Sequence, residues 1–165
     1  MDREVLKAVQ APIKERYRNQ PETAVVTLRA EGRLGEDVSC SVQTGRALVE
    51  AGLHPASGGD GLLACSGDML LQALAACAGV TLRSVATSMG ITASGTVLVE
   101  GDLDFRGTLG VDKFAPVGFT GIRLTFNLDS GSSEEELATL LRLTERYCVV
   151  FQTLKVPPTL SVSIN

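Results

Sequence analysis

Between Ser66 and Gly90, apolar or small residues recur at Leu70, Ala73, Leu74, Cys77, Val80, Thr81, Ser84 and Val85. This spacing, close to i, i+3, i+4, i+7, predicts a helix of about six turns. Its opposite edge is also poor in charge, with Arg83 the only charged side chain after Asp68. A helix this apolar around its circumference needs cover on most sides, which places it at the centre of the fold. Ser66 supplies a cap and Asp68 an acidic first turn. Cys77 falls mid-helix on the stripe, among Ala75, Ala76, Ala78 and Gly79, small neighbours that leave room for a reactant to approach the sulfur.

A second helix is predicted from Ser132 or Ser133, with Glu134, Glu135 and Glu136 in its first turn. Leu137, Leu140, Leu141, Thr144 and Cys148 form its inward stripe. Residues 1–19 read as another helix, with Val5, Val9, Ile13 and Tyr17 on one side and Pro12 expected to kink or split it. Alternation predicts strands over Ala24–Arg33, Val38–Val42, Thr96–Phe105, Thr120–Leu128 and, after Pro157-Pro158, Leu160–Ile164. Gly32–Asp37 reads as a turn. Thr44–Ser66, rich in Gly, Ser, Pro and Ala, reads as a long connection holding Arg46 and His54. Asp102 and Asp104 read as the solvated face of a sheet. The order is that of an α+β fold, antiparallel sheets packed on two long helices, each helix with one inward cysteine. Packed face to face, the two helices could bring Cys77 and Cys148 together; spacing alone does not decide it.

At 165 residues the chain is expected to be one domain able to bury its own core. A formal charge of -4 argues against a nucleic-acid surface. No leader is expected, since residues 1–19 carry charges throughout, and no membrane role, since the central helix reads as a core helix. Cys40, Cys65, Cys77 and Cys148 form no CxxC pair, which fits a reduced cytoplasmic setting. Cys40 reads as a small buried hydrophobe and Cys65, just before the helix cap, as structural. His54 is the only histidine and has no ligand partners at metal spacing, so no metal site is expected.

LLQALAACAGVTL at 70–82, followed by ERYCVVFQTL at 145–154, resembles the OsmC/Ohr family of osmotically inducible and organic-hydroperoxide-resistance proteins. The resemblance covers roughly residues 23–165 and leaves 1–22 as an N-terminal helical extension. It implies an OsmC-like intertwined homodimer, sheets wrapped around two central helices, with active sites at the subunit interface. It also implies a thiol peroxidase acting on small organic hydroperoxides: Cys77 attacks the peroxide, Cys148 resolves the product to a disulfide, and an external dithiol restores both, without a cofactor. Leu70, Leu74 and Phe151 would line an apolar substrate pocket. A homodimer is expected on physical grounds as well, because one sheet and one partner helix cannot cover an all-apolar helix.

The chain departs from the family pattern in two places. The family's first-turn Glu, which pairs with a thiolate-activating Arg, falls on Gly67 here; Asp68, one residue on and about 100° away around the helix, is the candidate to serve in its place, the alternative being that the ion pair is absent. Arg46 is the candidate for the activating arginine. Val149 stands where Pro often follows the second cysteine. These departures motivate an alternative reading, an OsmC-fold binding or structural protein that has lost peroxidase activity.

Overall fold

The structure is a computed structural model, and it describes residues 2–20, 25, 32–34, 39–44 and 47–164. Helix α1 spans Arg3–Asn19 and runs through Pro12 without a break. A proline deletes one backbone hydrogen bond, and the turns on either side carry the helix across the gap. Its start is held by Asp2, whose carboxylate accepts the Val5 N–H at 2.9 Å.

Four strands follow, β1 (Gly32–Leu34), β2 (Ser39–Thr44), β3 (Ala47–Gly52) and β4 (Ala64–Cys65), in sheet order β1-β2-β3-β4. The first two pairings are antiparallel and β3 pairs β4 in parallel. Two expectations are corrected here. Gly32–Leu34 is strand, where a turn was expected; most of the predicted strand over Ala24–Arg33 lies outside the described residues. The expected connection from Thr44 to Ser66 contains β3, because Thr44 pairs with Ala47 and leaves only two residues to turn the hairpin. The sequence hides β3 because Ala47, Ala51 and Gly52 give weak alternation and exposed Leu48 interrupts it. Cys40 lies opposite Ala51 in this ladder.

Helix α2 spans Ser66–Met89, so Ser66 opens the helix rather than preceding it. Its fully buried residues are Leu74, Ala78, Leu82 and Ala86, one ridge at four-residue spacing. The predicted stripe is therefore rotated: Leu70, Ala73 and Val80 are exposed. Where nearly every side is apolar, periodicity cannot select the buried one, and packing does so. Among the described residues α2 alone is long and apolar enough to cross a membrane by length and composition.

Strands β5 (Ala93–Leu103) and β6 (Phe119–Ser130) pair with each other, flanking the short helix α3 (Phe105–Thr108). Side-chain hydrogen bonds join Ser130 to Thr92 and Thr120 to Asp102, which fixes the pair as antiparallel. Half-buried Val97, Val99 and Leu103 alternate with exposed residues, as do Leu124, Phe126 and Leu128. On the wet face Arg123 binds both carboxylate oxygens of Asp102, and Asp104 caps α3 while pairing with Arg106 at 2.6 Å.

Helix α4 spans Glu134–Tyr147 and opens with a capping box: Ser133 Oγ accepts the Glu136 N–H, and the Glu136 carboxylate accepts the Ser133 N–H at 2.8 Å. Helix α5 spans Val149–Lys155. Residues 157–164 carry no regular structure, so the expected strand over Leu160–Ile164 is absent; Leu160, Val162 and Ile164 are exposed. An alternating segment becomes a strand only beside another strand edge, and Pro157 and Pro158 each withhold a backbone donor.

The chain divides into two compact units, one of Met1–Ile13, Ala73–Leu98 and Leu124–Asn165, the other of Lys14–Gln72 and Val99–Arg123. The first holds the main core: Leu82, Ala86, Ile91, Ala93 and Leu140, with Val85, Met89, Phe126, Leu128 and Leu137 packed around them. The second holds the four-stranded sheet and the first turns of α2.

Candidate functional site: a thiol pair at a helix break

Cys148 is where a helix stops and restarts. It is the C-cap of α4 and the N-cap of α5, with φ -74 and ψ 108, outside the helical region. Its N–H still donates to Thr144 O at 2.9 Å, and its carbonyl accepts the Gln152 N–H at 2.9 Å, so the break costs little backbone hydrogen bonding. Gln152 Nε2 donates back to Glu145 O at 2.7 Å and clamps the corner. The Cys148 side chain is 1% exposed, in the first unit with Leu140 and Thr144. The Thr144 hydroxyl is satisfied by Leu140 O at 2.8 Å, so nothing polar in that layer is left unpaired.

Cys148 makes no side-chain cap on α5, which leaves the first amides of that helix free to donate elsewhere. The sulfur of Cys77, half-buried on α2, is the group they act on: the Val150 and Val149 N–H groups lower this thiol, together with the Cys148 thiol and the Thr81 hydroxyl one turn along. Burial pushes the Cys77 thiol up, but these donors together outweigh it and hold the thiol below its ordinary range. Cys148 moves the other way: burial raises it, and the neighbouring Cys77 sulfur raises it further, which outweighs the lowering influence of the Phe151 and Val150 amides. The pair is thus polarised. Cys77 ionises first, and Cys148 keeps its proton to donate.

No charged group among the described residues acts on Cys77. Asp68 is placed in the first turn of α2, where it lines a pocket with His54 and Cys65; it is not gathered with the thiol pair. Arg46 lies outside the described residues. His54 is a local capping residue, its Nδ1 accepting the Ala56 N–H at 3.0 Å. No group of three or more His, Cys, Asp or Glu able to hold a metal occurs among the described residues. Sequence reasoning missed the Val149 and Val150 amides as functional groups, because backbone donors leave no mark in residue type. The one signal was negative: a non-proline at position 149 keeps its N–H.

Two inward cysteines, one on a long central helix and one at the break of a later helix, on an α+β frame, define a dithiol protein class. The family model described as OsmC-like protein matches residues 59–163, which include both cysteines. The chain belongs to the OsmC-like protein family. Solved structures share its fold at low identity. An OsmC-like protein from Mycoplasma pneumoniae is 22% identical with a TM-score of 0.66, covering 80% of this chain and 89% of that one. An organic hydroperoxide resistance protein from Elizabethkingia anophelis, with thiocyanate bound, is 17% identical with a TM-score of 0.56, covering 81% and 91%. The organic hydroperoxide resistance protein OhrB of Bacillus subtilis is 18% identical with a TM-score of 0.51, covering 80% and 93%. No curated protein matches the chain by sequence.

Proposed function

We propose that this protein is a thiol-dependent peroxidase that reduces small organic hydroperoxides through Cys77 and Cys148. The observation that carries this reading is the polarised pair: Cys77 is held toward thiolate by uncharged donors, one of which is the Cys148 thiol itself. The Cys77 thiolate attacks the outer oxygen of ROOH, the O–O bond breaks, and the departing alkoxide takes a proton to leave as ROH. Cys77 is now a sulfenic acid. The Cys148 sulfur attacks it, an S–S bond forms, and the hydroxyl leaves as water with the proton from Cys148. An external dithiol then returns both cysteines to thiols by exchange and is itself oxidised. A reduced cytoplasmic compartment suits this cycle. The names of the hydroperoxide-resistance proteins that share the fold support the same substrate class.

A homodimer is part of the reading. Ala73, Ala76 and Val80 leave one side of α2 apolar and exposed, with Val80 at 72%, and a second copy of the same small-residue face is its simplest cover. Sedimentation equilibrium at micromolar concentration tests it; one chain mass there would refute it.

The test of the chemistry is a thiol titration before and after one equivalent of cumene hydroperoxide. Rapid loss of the Cys77 and Cys148 thiols in each chain is expected, and no loss would defeat the reading. Gly67, at the position of the family's acidic residue, favours a second reading: an OsmC-fold binding or structural protein without turnover. That reading predicts intact thiols in the same titration.

A further inference from the structure

A pocket of about 330 Å³ opens in the second unit, sharing no residue with the thiol pair. Two glycines shape it. A Cβ at Gly67 would meet Cys65 Sγ and the Phe119 ring at 3.5 Å, so any longer side chain there would stand in the pocket. A Cβ at Gly101 would lie 2.6 Å from the Phe119 ring, so that ring keeps its place only because position 101 has no side chain. Leu71, Leu103, Phe105 and Phe119 make the apolar walls. The volume is at the small end of the range for ligand sites.

The polar groups around it are mostly committed elsewhere. The His54 ring stacks on Phe105 with centroids 5.0 Å apart, and its Nδ1 accepts the Ala56 N–H. In the neutral ring the proton therefore sits on Nε2, so His54 is no base for Cys65 and the two do not form a nucleophile–base pair. Both oxygens of Asp102 are bound by Arg123. Asp68 is the exception: it lines the pocket, and its carboxylate has no protein partner among the described residues.

We propose that this pocket binds a small organic ammonium ion with an apolar body, its charge at Asp68 and its hydrocarbon part against Phe105 and Phe119. An ammonium group answers a carboxylate that has no partner among the described residues, and the apolar body gains from burial against the two rings. A neutral ligand of the same shape would cover that carboxylate without pairing it, and an anion would meet its repulsion.

The test uses benzylammonium as probe and benzyl alcohol as its neutral counterpart, each titrated into the whole protein by calorimetry. Benzylammonium is expected to bind saturably and about tenfold more tightly than the alcohol. Asp68→Asn should abolish that preference, and Gly67→Leu should block both ligands. Gly67→Ala, whose Cβ makes only ordinary contacts, should bind within about twofold of wild type. Bound probe should slow alkylation of Cys65 by iodoacetamide and leave Cys77 unaffected, a readout that stands even if Gly67→Leu does not fold. Absence of saturable binding, equal affinity for the two ligands, unchanged affinity in folded Gly67→Leu, or protection of Cys77 in place of Cys65 would each overturn the proposal.

Discussion

Cys77 and Cys65 are both partly exposed thiols on or beside the same helix, yet only one stands in surroundings that can activate it. Cys65 lines a pocket with an imidazole and two carboxylates, the more suggestive set of residue types. Three of the six polar atoms of that set face other partners: His54 Nδ1 is taken by Ala56, and both Asp102 oxygens by Arg123. Among the described residues no charged group acts on Cys77, and uncharged groups alone lower its thiol. Proximity to polar residues does not make a reactive cysteine; donors left free to aim at the sulfur do.

The sharpest way to break this contrast is to remove each thiol. Cys77→Ser should lower hydroperoxide consumption by more than about a thousandfold, while Cys65→Ser should leave it within about twofold. An assay coupled to dithiol oxidation reads both, and turnover retained by the first variant would end the assignment. Next in size, Cys148→Ser should permit the first oxidation and then stall. Its Cys77 should pass to sulfinic acid under excess peroxide, visible by mass spectrometry of the Cys77 peptide. An unmodified Cys77 in that variant would contradict the two-step scheme.

A finer test removes one donor. Val149→Pro deletes an amide N–H at the first position of α5, where proline is well accommodated, and Cys148 already has the extended ψ that a following proline requires. Alkylation of Cys77 at neutral pH should slow about fivefold and its pH profile should move upward. The sign follows from the lowered thiol: in the wild type the thiolate persists to lower pH than an ordinary cysteine, and each lost donor gives part of that range back. The same lowering contributes folded-state stability above the ordinary thiol range, lost as pH falls through the folded value. An unmoved profile would remove Val149 from the site. Smallest of all, Thr81→Val should shift the profile the same way, with about a twofold slowing, since one hydroxyl among four donors is lost.

Much of this was legible in the residues. The capping Ser133 beside its acidic run, the alternation of Leu124, Phe126 and Leu128, and the inward Leu140, Thr144 and Cys148 all follow from period and chemistry. What escaped did so for physical reasons. Strand β3 is built largely of small residues with an exposed Leu48 among them, α2 is apolar on nearly every side, and Leu160–Ile164 has the pattern of a strand without one alongside. At the site the two cysteines stand out by type and position. The groups that tune them do not, because an amide N–H is the same at every residue except proline.

That last point bears on how such a site can change over generations. A thiolate held by arginine and glutamate side chains can lose its support to almost any substitution at either position. Support from the Val149 and Val150 backbone survives every replacement there except proline, provided α5 keeps its register. The sequence around the second cysteine is therefore free to drift in size and polarity while the chemistry at Cys77 holds, and relatives built this way would be hard to recognise by residue matching alone.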